Sequence, residues 1–166
     1  MTPDPSGWTL QNVDMDDLQA RRRFAAARVG RLATVTPSGT PHLVPVVFAL
    51  VEDYLYTAVD SKPKTTTALQ RLANIEATGH ASLLVDEYAE DWSTLWWVRV
   101  DGEAQVLAVE DEPGAAAVRR GRREQTHAAI EALTRKYPQY LDQPPSGPVI
   151  AVHLTRWRWW EAAATT

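Results

Sequence analysis

The stretch from Arg31 to Asp60, RLATVTPSGTPHLVPVVFALVEDYLYTAVD, decides the fold. It contains three runs rich in β-branched and aromatic residues, a composition typical of strands: Leu32–Thr36, Leu43–Val51 and Tyr54–Val59. Turn-forming residues separate the runs, first Pro37-Ser38-Gly39 and then Glu52-Asp53. Three consecutive strands joined by short turns predict an antiparallel meander.

Pro45 interrupts the second of these runs. Because proline has no N–H to donate to a strand ladder, it indicates an edge strand or a bulge. A bulge often turns backbone groups towards something other than the neighbouring strand.

The segment before the meander, Asn12–Gly30, predicts a helix. Its expected features are a cap at Asp14, a stop at Gly30 and an apolar face of Leu18, Phe24 and Val29.

The segment after the meander alternates helices and strands. We expect a short helix over Thr66–Asn74 with Ala68, Leu69 and Leu72 facing inward, and a strand over Ala81–Tyr88. A longer strand over Thr94–Val109, bent at Gly102, should precede a helix over Asp111–Tyr140, with Asp111 near its cap and Pro113 in its first turn. The segment Val149–Ala162 closes the chain as a last strand or hairpin.

Six or so strands with a few helices indicate a mainly β fold, a small antiparallel barrel with helices packed outside. The length of 166 residues fits one domain over 1–166, of which 1–13 is expected to be a flexible N-terminus.

Composition excludes several classes of protein. The formal net charge of -4 argues against nucleic-acid binding, and the absence of cysteine excludes disulfides and thiolate chemistry. No apolar run approaches the roughly 20 residues of a membrane span, and the N-terminus does not resemble a signal peptide. A soluble cytoplasmic protein without contact to a membrane is therefore expected.

The segment DSKPKTTTALQ, residues 60–70, joins the end of a strand to the start of a helix. The free N–H groups of a helix start favour anions, and this segment adds hydroxyls and positive charge. It predicts a phosphate site made by Ser61, Lys62, Lys64, Thr65 and Thr66. The alternative is a solvent-exposed, threonine-capped helix start with two surface lysines.

Tryptophans cluster in two stretches, Trp92–Trp97 in the middle of the chain and Trp157–Trp160 near its end. Trp96 and Trp97 must point to opposite faces of their strand, so that one can lie in the core while the other meets a ligand or partner. Trp157 and Trp159 share one face of the last strand. The four histidines lack metal-ligand spacing, so no metal site is expected, and no residue stands out as a general acid, base or nucleophile.

The order of these segments resembles the split-barrel flavin and deazaflavin oxidoreductases of the pyridoxamine-phosphate-oxidase-like superfamily. A helix is followed by RLATVTPSGTPHLVPVVFAL, DYLYTAVDSKPKTT, LQRLANIEATGHASLLVD and DWSTLWWVRVDGEAQV. The likeness runs from about Arg22 to the final tryptophans and is greatest to the coenzyme F420-dependent branch.

The resemblance implies a six-stranded antiparallel split barrel of the FMN-binding type, acting as a homodimer with cofactor sites at the subunit interface. The ring would lie beside Pro45, Val46, Val47, Tyr56 and Thr57, with Trp96 and Trp97 approaching it from the long strand. Ser61, Lys62, Lys64, Thr65 and Thr66 would hold the phosphate. Relatives often carry arginine at the place of Thr65 and histidine at the place of Glu87.

The function that the resemblance implies is hydride transfer between coenzyme F420 and a small organic substrate. One alternative is an FMN-dependent oxidoreductase of the same fold. Another is a non-catalytic protein that binds a flavin, a deazaflavin or haem, with His42 or His153 as the candidate axial ligand.

Overall fold

The structure is a computed structural model that describes residues 15–59, 67–107 and 116–162; the side chains of 67–69, 116, 117 and 119 are not described. Three helices and seven strands lie within these ranges. In chain order they are α1 (Asp17–Ala26), β1 (Gly30–Val35), β2 (Pro41–Val46), β3 (Ala49–Val51), β4 (Tyr54–Ala58), α2 (Thr67–Thr78), β5 (His80–Glu87), β6 (Trp96–Leu107), α3 (Ala116–Lys136) and β7 (Val149–Glu161). Short 3-10 turns cover Trp92–Thr94 and Pro138–Tyr140.

One antiparallel sheet contains all seven strands, in the order β2-β1-β5-β6-β7-β4-β3. Its two edge strands, β2 and β3, are consecutive in the chain and are separated only by Val47 and Phe48. A flat sheet of this size would be about 29 Å wide, whereas three peptide links span at most about 11 Å. The sheet must therefore curl until its edges approach, which gives the split barrel expected from the sequence.

The structure corrects two predictions, the number of strands and the three-stranded meander. The predicted strand Leu43–Val51 is divided at Val47–Phe48, so there are seven strands rather than six. Its first half pairs with β1 and its second half with β4, so two hairpins at opposite edges replace a three-stranded meander. The edge position predicted from Pro45 is confirmed, because β2 ends one side of the sheet.

The first helix is shorter than predicted. It begins after Asp16, whose carboxylate accepts a 2.7 Å hydrogen bond from the backbone N–H of Gln19; Asp14 lies outside the described residues. Gly30 does not stop the helix but begins β1. Leu18 and Val29 are exposed, and only Phe24 of the predicted apolar face is buried. Residues six apart cannot share a helix face, whereas Ala20 and Phe24, four apart, do.

The interior of the barrel forms the main core. It includes Phe24 of α1, Ile75 of α2 and the inward-facing residues of the strands, among them Leu32, Leu83, Val98 and Val152. The helix α2 extends four residues beyond the predicted Asn74, and Gly79 follows it with a φ of 69°. Leu72 packs against this core as expected, while the side chains of Ala68 and Leu69 are not described.

A second cluster lies outside the barrel, between α3 and the sheet. Its members include Tyr56, Leu107, Leu133, Tyr137 and Val149. The helix that forms it ends at Lys136, and the predicted continuation to Tyr140 is instead a 3-10 turn. Asp111 and Pro113, the predicted start of this helix, lie outside the described residues.

The two longest strands, β6 and β7, pair over their whole length with one irregularity. Asp101 lies opposite Arg156 and Gly102 opposite Leu154, so Thr155 is an extra residue on β7. This bulge falls at Gly102, where the sequence predicts a bend in β6. It also changes which residues of β7 face the core: Val152 and Leu154 before it, and Trp157 and Trp159 after it. The alternative of a terminal hairpin is wrong, because Val149–Glu161 is one strand.

None of the helices among residues 15–59, 67–107 and 116–162 has both the length and the apolar character needed to span a membrane.

Candidate functional site

The break between β2 and β3 places the predicted residues Pro45, Val46 and Val47 in three different environments. Pro45 is exposed on the outer face of β2, opposite Arg31. Val46 points into the barrel and is buried in its core. Val47 lies in the break itself, half-buried, and packs against the cluster beneath α3.

Tyr56 and Thr57 follow on β4, opposite the second half of the broken strand. Tyr56 points outward beneath α3, where Gln125 donates a 3.3 Å hydrogen bond to its hydroxyl. Burial raises the pKa of Tyr56 above its usual value, so the phenol stays protonated. Tyr54 stacks on it, with ring centroids 6.0 Å apart and planes 10° apart.

Thr57 points the other way, into the barrel, and is 1% exposed. Its hydroxyl has no hydrogen-bond partner among the described residues. Buried hydroxyls usually form a hydrogen bond. The Thr57 hydroxyl, near the end of β4, is therefore free to form one with a further group. Residues 60–66, which include Ser61, Lys62, Lys64, Thr65 and Thr66, lie outside the described residues.

Trp96 and Trp97 lie on opposite faces of β6, as the period of two predicts. Trp96 packs against the barrel core, and the guanidinium carbon of Arg23 lies 5.2 Å from its ring centroid. Trp97 is half-buried on the outer face, between Asp86 on β5 and Trp160 on β7.

Within one chain, the predicted cofactor-binding residues fall into three groups. Val47 and Tyr56 come together in the cluster beneath α3. Val46 and Trp96 belong to the barrel core. Pro45 and Trp97 lie on the outer face of the sheet. Pro45 is two residues from Val47 in the chain, whereas Trp97 lies opposite Trp160, at the other end of β7 from the residues that pair with β4.

A row of polar residues across four strands was missed by sequence reasoning. His80 lies opposite Glu103, Glu103 opposite His153, and His153 opposite Tyr54. These four line an open pocket of about 390 Å³, and the rings of Tyr54 and His153 are 5.0 Å apart. The four residues are far apart in the sequence and are brought together only by strand pairing. No local sequence motif therefore predicts the row. Among the described residues, no three His, Asp or Glu side chains are placed to hold a metal ion.

A wider groove of about 570 Å³ continues from this pocket across the outer face and shares His80 and Glu103 with it. Apolar residues of β1 and β2 line one side of the groove. On the other side, Ser82 donates a 2.7 Å hydrogen bond to Asp101.

A curled antiparallel sheet with a divided edge strand, two helices packed on the barrel core and a third helix across the outside defines a split-barrel domain. The sequence matches the family model described as pyridoxamine 5'-phosphate oxidase over residues 17–161. The chain belongs to this family.

Solved structures share the fold at low sequence identity. A conserved hypothetical protein, Rv2991 from Mycobacterium tuberculosis, superposes with a TM-score of 0.65 at 19% identity, covering 91% of this chain and 88% of that one. A FAD-binding protein from Mesorhizobium loti gives 0.60 at 21% identity, with coverages of 90% and 96%. A haem-binding protein from Mycobacterium smegmatis gives 0.60 at 20% identity, with coverages of 88% and 54%. No curated protein matches the sequence.

Proposed function

We propose that the protein binds a flavin-type cofactor, coenzyme F420 in preference to FMN, and transfers a hydride between it and a small organic substrate. Membership of the pyridoxamine 5'-phosphate oxidase family supports the cofactor class. The observation that carries the proposal is that Val47 and Tyr56 belong to one cluster beneath α3, while Thr57, the next residue of β4, places on the opposite face of the strand a hydroxyl that has no hydrogen-bond partner among the described residues.

These residues fit such a cofactor. Val47 offers an apolar surface beside the strand break, and the Thr57 hydroxyl can give or accept a hydrogen bond that no described residue uses. The segment that begins three residues after Thr57 carries Lys62 and Lys64. Their two positive charges favour F420, which has a phosphate and a polyanionic tail, over FMN. The cofactor supplies the redox chemistry when it is bound, and the chain holds it and limits access of water.

A second subunit would complete this site. Trp97 lies opposite Trp160, at the other end of β7 from the residues that pair with the strand of Tyr56, so it can meet a cofactor held at Val47 and Tyr56 only across an interface. A homodimer with two cofactor sites between its subunits satisfies this requirement and is part of the proposal.

Equilibrium titration of the purified protein with F420 and FMN, side by side, tests the proposal. F420 is expected to bind more tightly. If FMN binds at least as tightly as F420, FMN becomes the proposed cofactor. If neither binds, the proposal is overturned.

A second candidate function is haem binding without catalysis. It is favoured by His153, which is exposed beside Tyr54 in the 390 Å³ pocket and can offer an imidazole to iron. His42 is the other candidate, and its Nδ1 is buried without a hydrogen-bond partner among the described residues. Titration with haemin would give a Soret band that His153→Ala or His42→Ala removes. If the band is absent, this second function is excluded.

A further inference from the structure

The C-terminal end of α3 fixes the backbone at the strand break. The Tyr137 hydroxyl lies 3.0 Å from the backbone N–H of Phe48, whose hydrogen bond it accepts, and 2.7 Å from the carbonyl oxygen of the same residue. The carbonyl oxygen of Arg28 is 3.0 Å away. A hydroxyl has one proton, so the two carbonyls share one donor. Phe48 lies outside the strands, so its backbone N–H and C=O make no hydrogen bonds of a strand ladder. The Tyr137 hydroxyl forms hydrogen bonds with both groups instead.

Aromatic and cationic neighbours hold Tyr137 and Phe48 in place. Tyr137 is 1% exposed and Phe48 is fully buried. The amine of Lys136 lies 4.1 Å from the centroid of the Phe48 ring, and the guanidinium carbon of Arg28 lies 4.6 Å from that of the Tyr137 ring. Arg28 also donates a 2.6 Å hydrogen bond to the backbone carbonyl of Lys136. Burial raises the pKa of Tyr137, so its hydroxyl keeps the proton it donates.

The same helix supports the other strand of the candidate site. Gln125, three turns before Tyr137, donates the hydrogen bond to the Tyr56 hydroxyl. Val47, Tyr56 and Tyr137 all belong to or pack against the cluster beneath α3. Gln125 of α3 and Tyr137, the residue that follows α3, therefore bond to β4 and to the break that carries Val47.

We propose that Tyr137 is a positioning residue for the cofactor ring. By holding both backbone groups of Phe48, it sets the orientation of Val47 relative to Tyr56 without touching the ring itself. This inference rests on the proposed function, because it assumes that Val47 and Tyr56 flank a bound cofactor.

The variant Tyr137→Phe keeps the ring and removes only the hydroxyl. We expect its dissociation constants for F420 and FMN to rise roughly tenfold, since a bond worth about one kcal/mol or more no longer fixes the site. The circular dichroism that the protein induces in the bound ring should also change. Val85→Ala, at a fully buried position in the barrel core, is the control for a general loss of stability. It should lower the melting temperature but leave affinity and ring dichroism unchanged.

Each outcome decides the proposal. If wild type binds a cofactor and Tyr137→Phe binds it as tightly, with the same dichroism, the positioning role is wrong and the proposed function stands. If wild type binds neither F420 nor FMN, both are overturned. Should Tyr137→Phe fail to fold, Arg28→Met takes its place, because it removes the cation over the Tyr137 ring and keeps the hydroxyl. A loss of about threefold is then expected, and unchanged binding would overturn the inference.

Discussion

Gly102 on β6 lies so close to the carbonyl oxygen of His153 on β7 that a Cβ at Gly102 would overlap this oxygen. The contact falls where the register of the two strands shifts and Thr155 is the extra residue. Only glycine lets the two backbones approach this closely. The contact therefore supports the bulge that turns Trp157 and Trp159 towards the barrel core.

A pair of glycine substitutions tests this contact. Gly102→Ala should destabilise the protein by about 2 kcal/mol or more, because the backbone of β7 must move. Gly121→Ala adds the same methyl group to α3, where nothing lies within 4 Å, and should stabilise the helix by about 0.5–1 kcal/mol. Melting temperatures that move in opposite directions, by a few degrees each, would confirm both expectations. Equal shifts would contradict them.

An irregularity at Gly102 could be predicted from the sequence, but the extra residue on β7 could not. Gly102 is visible as a glycine within an otherwise regular strand pattern. The position of the bulge depends on which residue of β7 each residue of β6 faces, and this register is set by pairing between distant segments.

The break at Val47–Phe48 was missed for a different reason. Residues 43–51 form a nearly continuous apolar run, because β2 faces the barrel core and β3 also borders the cluster beneath α3. An apolar run looks the same whether one strand continues or two halves pair with different partners. The opposite faces of Trp96 and Trp97 followed from the period of two, whereas only the register shows which of them lies in the core.

Lys136 should make stability depend on pH. Its amine is buried without a hydrogen-bond partner among the described residues, and burial, together with the charge of Arg28, lowers its pKa to about 8. In the unfolded chain the pKa returns towards 10.5, so between pH 8 and 10.5 the unfolded state binds more protons. The free energy of unfolding contributed by this group therefore rises with pH across that window, and its cost is fully present below pH 8.

The variant Lys136→Met keeps a chain of similar length and removes the buried charge. At pH 7 it should be more stable than wild type by about 1–2 kcal/mol, after allowance for the lost contact of the amine with the Phe48 ring. This advantage should shrink as pH rises towards 10. Denaturant unfolding between pH 7 and 9.5 measures it, with Arg123→Met, an exposed cation on the same helix, as the control. A difference between Lys136→Met and wild type that does not vary with pH would show that the amine is not desolvated.

Lys62 and Lys64 should hold the cofactor phosphate, a prediction that rests on the sequence. A hydrogen bond to a charged group contributes about 1.5–3 kcal/mol, so losing one lysine should weaken binding roughly 10- to 100-fold. Lys64→Ala should lose affinity for F420, and the double variant with Lys62→Ala should lose more, both with an unchanged melting temperature of the free protein. The difference from wild type should shrink at high salt. If the double variant binds F420 and FMN as well as wild type does, the segment is only an exposed helix start.

The outer face of the sheet should form the interface of a homodimer. Leu43 on β2 is 65% exposed and Val35 on β1 is 37% exposed, while Trp97 and Trp160 stand side by side, half-buried, further along the face. The helices do not account for this surface, since α1 and α2 contribute to the barrel core and α3 to the second cluster. Apolar and aromatic residues gathered on one exposed face are typical of stable interfaces.

Light scattering at micromolar concentration should give twice the 18.5 kDa mass of one chain. Leu43→Asp places a charge in the proposed interface, on the edge strand β2, and should shift the protein towards monomers, without a large effect on the fold, because position 43 is exposed. Leu141→Asp puts the same charge at a site that is 67% exposed, near α3 and away from this face, and should leave the dimer intact. F420 affinity should fall together with dimerisation in Leu43→Asp, because Trp97 would no longer reach a cofactor held by the other subunit. A monomeric wild type that still binds F420 would show instead that one chain holds the whole cofactor site.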